Sequence, residues 1–208
     1  MLKKEKILEA LKRLRESSKK RNFVQSVDLV INLKGLDLRK PENRLEKDVI
    51  LPYGRGEDAK IVVFADTIRN LEVPILTSKD IENLSKNKRE VKKLARRTDF
   101  FLAEPSLMPV VGKFLGRFLG PRGKMPRILR GDSGKMIEEY KKAITIRVKN
   151  NPVVQCLVGK ENMKDEEIAE NVMEVYKTLI SLLPKGEVNV KNIYLKFTMS
   201  KPVKVEVK

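Results

Sequence analysis

The segment that most resembles a phosphate site is Gly120-Pro121-Arg122-Gly123-Lys124. A nucleotide-binding loop needs glycine for a tight turn, lysine for the outer phosphates and a following hydroxyl for magnesium. Its full spacing asks for glycine at 118 and Ser or Thr at 125, where this chain has Phe118 and Met125. With the first turn and the magnesium ligand both missing, nucleotide hydrolysis is not expected. Asp66, Asp99 and Glu104 stand at the ends of apolar runs, where acids or metal ligands can lie. No second motif supports them, so capping and loop solvation are the expectation. Histidine is absent and Cys156 is the single cysteine. That excludes histidine-dependent triads, histidine metal sites, an intramolecular disulfide and a cysteine zinc knuckle, and it fits a reducing compartment. Cys156 alternates with Val154 and Val158, which puts it on a core face and not in a reactive site. No catalytic, cofactor or metal site is expected.

The chemistry that remains is cationic. Across 208 residues, 45 Lys and Arg face 28 Asp and Glu, a net charge of +17. The basic residues concentrate in Lys19-Lys20-Arg21, in 86–97 and in 117–130. Solubility alone rarely needs so large an imbalance, so a polyanionic partner, nucleic acid first of all, is expected. The 41% hydrophobic content supplies real cores and sets the chain apart from a disordered basic tail. The apolar windows are short or interrupted by Lys and Arg, and Met1-Leu2-Lys3-Lys4-Glu5-Lys6 has no apolar stretch behind it. Neither a membrane span nor a signal peptide is expected, which describes a soluble intracellular protein.

Three stretches must position these groups. In 1–56, Ile7, Leu8, Leu11 and Leu14 recur at helical spacing, and the period then changes to two. Val27, Leu29, Ile31 and Leu33 point one way while Ser26, Asp28 and Asn32 point the other, a half-exposed antiparallel strand. Asp48-Val49-Ile50-Leu51-Pro52 reads as a second strand. In 57–144, Ile61-Val62-Val63-Phe64-Ala65, Val73-Pro74-Ile75-Leu76 and Phe100-Phe101-Leu102-Ala103 are apolar on both faces. They alternate with helices expected over 78–97 (N-cap Ser78), 106–119 and 133–143, the grammar of an open α/β sheet. Gly112, Gly116 and Gly120 share one helix face; tight packing on the sheet and a basic loop beyond it touching RNA are both expected there. In 145–208, strands over 144–148 and 153–158 flank Lys149-Asn150-Asn151-Pro152 and read as a hairpin. A helix starting at Asp165 buries Ile168, Val172, Val175, Leu179 and Leu182, and strands over 194–199 and 203–207 follow.

The outer stretches share one style and the middle has another. The expected fold class is therefore α/β in two parts. A discontinuous α+β domain of 1–56 and 145–208 has an antiparallel sheet and two helices, and a Rossmann-like three-layer domain of 57–144 is inserted in it. The first carries 26 Lys and Arg against 16 Asp and Glu, a net +10, and the insert carries 19 against 12, a net +7. Gly54 and Gly56 mark the expected hinge.

Leu119-Gly120-Pro121-Arg122-Gly123-Lys124-Met125-Pro126 resembles the signature of the large-subunit ribosomal protein L-one family in its archaeal form. Arg21-Asn22-Phe23-Val24-Gln25-Ser26, Arg39-Lys40-Pro41-Glu42-Asn43-Arg44, Leu51-Pro52-Tyr53-Gly54-Arg55-Gly56 and Thr198-Met199 resemble further family marks in the family's order. Where the family has Gly-Pro after Thr-Met, this chain reads Ser200-Lys201-Pro202. The resemblance implies a cytoplasmic, non-catalytic protein of the large ribosomal subunit, monomeric when free and without a cofactor. It implies binding to large-subunit ribosomal RNA to form the mobile stalk by the tRNA exit site, where it assists release of deacylated tRNA. It also implies repression of its own mRNA through a similar RNA fold. The RNA-binding residues it implies are Phe23, Gln25, Ser26, the strand around Arg147 and Lys149, and the Thr198-Met199-Ser200 turn. Beside them Lys20, Arg21, Arg147, Lys149 and Lys196 are expected to reach phosphates, with Arg122 and Lys124 as secondary backbone contacts. Phe23 either stacks on ribose or base or lids the core, and Met199 faces RNA only if its turn twists outward. A nucleotide-dependent α/β enzyme and a basic DNA-compacting protein are the alternatives from other classes.

Overall fold

A computed structural model describes residues 2–40, 43–68 and 71–206. Pro41 and Glu42 of one family mark, Arg69, and Val207 of the final expected strand lie outside the described residues. The chain separates into two compact units, Met1–Glu57 with Lys142–Lys208, and Asp58–Lys141.

The first unit is built on β1 (Ser26–Leu33), in which half-buried and buried residues alternate without a break. It lies between β8 (Val153–Lys160) and β9 (Val190–Phe197), and β10 (Val203–Val205) follows at the edge. All three pairings are antiparallel. One face is covered by α1 (Lys4–Ser17), which buries Ile7, Ala10, Leu11 and Leu14, and by α6 (Asp165–Leu182). Asp165, Glu166 and Glu167 place three carboxylates at the positive end of the α6 dipole. β2 (Leu45–Ile50) and β7 (Ala143–Val148) form a separate antiparallel pair whose Val49, Ile144, Ile146 and Val148 complete the same core.

The hairpin expected from 144–158 does not form. β7 pairs with β2 and β8 pairs with β1, so the turn between them joins two sheets. A turn composition specifies a reversal of the chain and leaves the ladder partner open.

In the second unit β3 (Ile61–Phe64), β4 (Ile75–Leu76), β5 (Phe100–Ala103) and β6 (Arg127–Ile128) make a parallel sheet in the order β4-β3-β5-β6. Every residue of β3 and β5 is buried, as parallel strands covered on both faces require. Phe64 and Phe101 stack at 5.6 Å on the face shared with α2 (Ser78–Lys86), α3 (Lys88–Arg97) and α4 (Met108–Leu119). On the other face Phe100 meets Tyr140 of α5 (Ser133–Lys141) edge to face.

The single helix expected over 78–97 is two helices. Asn87 leaves the helical path and its side chain accepts from the N–H groups of Arg89 and Glu90, capping α3. Thr77, not Ser78, caps α2 in a capping box with Asp80. α4 starts at Met108 after a short 3-10 turn, and α5 stops at Lys141 because Ala143 already belongs to β7. The two α4 glycines and Gly120, which caps the helix, do not pack on the sheet. A Cβ at Gly112, Gly116 or Gly120 would meet nothing within 4 Å, and it is Val111, Leu115 and Leu119 that face inward.

Candidate nucleic-acid interface

The loop between α1 and β1 turns hydrophobic side chains outward. Phe23 and Val24 are 53% and 52% exposed, so Phe23 is not a core lid. With Lys20, Arg21, Asn22, Glu161 and Asn162 they line an open cleft of about 440 Å³. Arg15, in the last turn of α1, holds the facing wall. Its guanidinium donates to Asp165 at 2.7 Å and to the carbonyls of Glu161 and Met163 at 2.8 and 2.9 Å. It also lies 6.0 Å over the Phe197 ring.

Gln25 sits just behind Phe23 and is buried, so it does not present its side chain to a ligand directly. Its Oε1 accepts from Met199 N–H at 3.2 Å, while its backbone N–H and carbonyl pair with the carboxylate and N–H of Glu161. Gln25 therefore ties the cleft to the turn between β9 and β10. In that turn Ser26 N–H donates to the Thr198 hydroxyl at 3.1 Å, and Thr198 N–H returns a bond to the Ser26 carbonyl. The Thr198 side chain, expected to point at RNA, is part of the turn's own bonding. Ser200 Oγ accepts from Phe197 N–H at 2.9 Å, and Ser200 N–H donates to the Phe197 carbonyl. No non-glycine residue among those described has positive φ, so this turn closes without the glycine usual to the family. The result turns Met199 outward, 61% exposed.

Lys196 lies on the open face of the sheet, opposite Asp28 and two residues from Thr198. Burial raises the Asp28 pKa above its ordinary value, and the Lys196 charge opposes that rise. Behind this face Cys156 is buried, and burial pushes its thiol up to about 12. Arg147 and Lys149 are not brought to this cluster. Val153, which follows their turn, pairs with Asn32, six residues along β1 from Ser26, or about 20 Å at strand rise. Arg147 is engaged by Glu46 at 3.4 Å.

Other expected contacts also have structural work. Lys124 donates to the carbonyls of Ala95 and Thr98 at the negative end of α3, and Arg122 donates to the Lys92 carbonyl at 3.3 Å. Asn171 of α6, buried, accepts from Tyr53 N–H at 3.1 Å and donates to the carbonyls of Gly54 and Val158 at 2.7 and 2.9 Å. Gly54 and Gly56 have φ of 66° and 87°. A Cβ on Gly56 would stand 2.9 Å from Cγ of Lys160, whose ammonium pairs with Glu57. The two glycines expected to be a hinge are thus held against their own unit, and their left-handed torsions serve that turn.

In an open parallel sheet, ligands bind beyond the carboxyl ends of the strands. Here that place beside β3 holds Glu104, buried, which accepts from Asp66 N–H at 3.1 Å, Ile68 N–H at 3.3 Å and the Thr67 hydroxyl. Burial raises its pKa, but these hydrogen bonds outweigh burial and hold the carboxyl below its ordinary value. A carboxylate fixed where phosphates would lie argues against the nucleotide-enzyme reading.

Arg15, Glu161 and Asn171 organise the cleft and its surroundings yet carried no motif. The signal for Arg15 and Asn171 was position: each occupies a slot on the apolar stripe of its helix, Arg15 after Leu11 and Asn171 between Ile168 and Val175.

A model for the "Ribosomal protein L1p/L10e family" matches residues 14–201. The chain belongs to the ribosomal protein L1p/L10e family. Among similar members of the family is the large ribosomal subunit protein uL1 of Pyrococcus abyssi, 44% identical over 211 residues, which cover 98% of this chain and 96% of that protein. The protein of the same name from Thermococcus kodakarensis is 43% identical, with 98% of each chain covered. That from Methanothermobacter thermautotrophicus is 41% identical over 97% of this chain and 99% of its own.

Proposed function

We propose that this chain is a non-catalytic component of the large ribosomal subunit in the cytoplasm. It binds large-subunit ribosomal RNA, forms the mobile stalk beside the tRNA exit site and assists release of deacylated tRNA. It also represses translation of its own mRNA by binding a similar RNA fold. The observation that carries this reading is similarity along nearly the whole chain to proteins named for the large ribosomal subunit.

The contact surface we assign is the cleft of Lys20, Arg21 and Phe23 together with Met199 and Lys196. Phe23 and Met199 offer exposed apolar area for bases or ribose, and the three cations reach phosphates around them. Gln25, Ser26, Thr198 and Ser200 hold that surface in shape. The test is filter binding of the full chain to a large-subunit stalk RNA fragment, its own mRNA leader and an unrelated hairpin. Preference for the first two over the hairpin is expected. Equal binding to all three, or to duplex DNA, would sink the ribosomal reading.

A further inference from the structure

Arg89, Lys92, Lys93, Arg96 and Arg97 recur at three- and four-residue steps along α3. That spacing gathers them on one face, away from the buried Val91 and Ala95. All five are exposed and together line a cleft of about 330 Å³. None of the five makes an ion pair among the described residues, whereas Lys4, Lys6, Arg13, Arg15, Lys141 and Lys160 all do. Arg89 and Lys93, Lys92 and Arg96, and Lys93 and Arg97 stand four apart, so like charges face each other along one helix. Such pairs weaken a helix in isolation. Glu90 is the single acidic residue of α3, and five cations set against one carboxylate and left without an ion pair suit an anion from outside.

We propose that this face of α3 is a second RNA-binding surface, one that takes the phosphate backbone of a double helix without reading its bases. The inference rests on the RNA-binding reading above but uses different residues. From Arg89 to Arg97 the row runs about 12 Å at helical rise, long enough for successive phosphates. It holds no aromatic side chain, and a surface for single strands would need one to stack bases. Lys and Arg on a rigid helix neutralise phosphates and specify nothing, and the one amide beside them, Asn87, has its side-chain oxygen committed to the cap of α3. Arg122, fixed to the Lys92 carbonyl, brings a further guanidinium to one edge.

The experiment uses the full chain and a variant, Lys92→Gln with Lys93→Gln and Arg96→Gln. Both are titrated with a short RNA duplex of arbitrary sequence, an unstructured RNA of equal length, polyglutamate and the stalk RNA fragment. For the duplex, the variant should lose at least about tenfold in affinity at moderate salt, and the slope of log K against log salt should shrink by roughly 2–3. Its affinity for the stalk fragment should stay within about threefold, since the specific surface is elsewhere. Lys92→Arg with Lys93→Arg should retain duplex binding. Because like charges are removed, the glutamine variant should melt no lower than the parent at low salt, which separates lost binding from lost folding. An unchanged duplex slope in the folded variant overturns the proposal. So does competition by polyglutamate or unstructured RNA equal to that by the duplex. A parent chain that binds the duplex through α3 and ignores the stalk fragment would refute the ribosomal reading and still support this surface.

Discussion

Phe23 carries the most exposed aromatic area in the cleft and has few packing duties, so its removal separates binding from folding. Phe23→Ala should lower affinity for the stalk RNA fragment by roughly ten- to a hundredfold, the range of one lost base stack. Urea denaturation should show stability within about 0.5 kcal/mol of the parent, as for other exposed positions. Thr198→Val acts differently, because the hydroxyl accepts from Ser26 N–H. It should cost the fold about 1 kcal/mol and weaken RNA binding through a looser Met199 turn. Glu104 sets a pH dependence of stability. Its folded pKa lies below the ordinary 4.5, so its ionised form adds stability that is full above that value and is lost as pH falls through the lower, folded pKa. Melting temperature should therefore drop more steeply below about pH 4.5 in the parent than in Glu104→Gln, read by circular dichroism at constant ionic strength.

Elements explain why some of this was readable from residues alone. The alternation of β1 was visible from Val27 to Leu33, and extending it back by one step puts Gln25 on the core side, where it lies. Asn87 with Glu90 three residues on is a capping pattern, and it marks the break between α2 and α3. Periodicity showed that Gly112, Gly116 and Gly120 share a face, but only the packing of Val111 and Leu115 decides that this face is the outer one. Which strand β7 would pair with was beyond local reading, since β2 lies about a hundred residues earlier in the chain. The same applies to Asn171, whose three partners come from 53–54 and from β8. Asn171→Ala leaves two carbonyls and an N–H without their partner inside the core. It should cost on the order of 1–3 kcal/mol in urea denaturation of the full chain, with the slope of the transition unchanged.

For the whole molecule, the charge of +17 and the two separate cores make two expectations. Neutralising about five phosphates should give a slope of roughly −3.5 to −4.5 for log K against log salt on the stalk fragment. A flat slope would show that the cations are only solvated surface. Met1–Glu57 joined by a short Gly/Ser linker to Lys142–Lys208 keeps a complete core together with Lys20, Arg21, Phe23, Lys196 and Met199. It should fold alone and retain the preference for the stalk fragment over an unrelated hairpin, measured by filter binding. Loss of that preference with the fold intact would move the specific surface to the other unit.

β1 lies between strands that arrive late. It is complete at Leu33, while β8 begins at Val153 and β9 at Val190. The second unit, by contrast, is one continuous run from Asp58 to Lys141. During synthesis that run emerges whole and can fold at once, while β1 waits without either of its ladder partners until more than a hundred further residues have left the ribosome. The Phe23 cleft and the Met199 turn therefore come into being together, among the last events of the chain's own birth. Nascent chains halted before β9 should show a protease-resistant insert and no hold on the stalk RNA. Under the repressor role proposed above, this timing means that a half-made copy cannot act on its message, and the feedback counts only finished molecules.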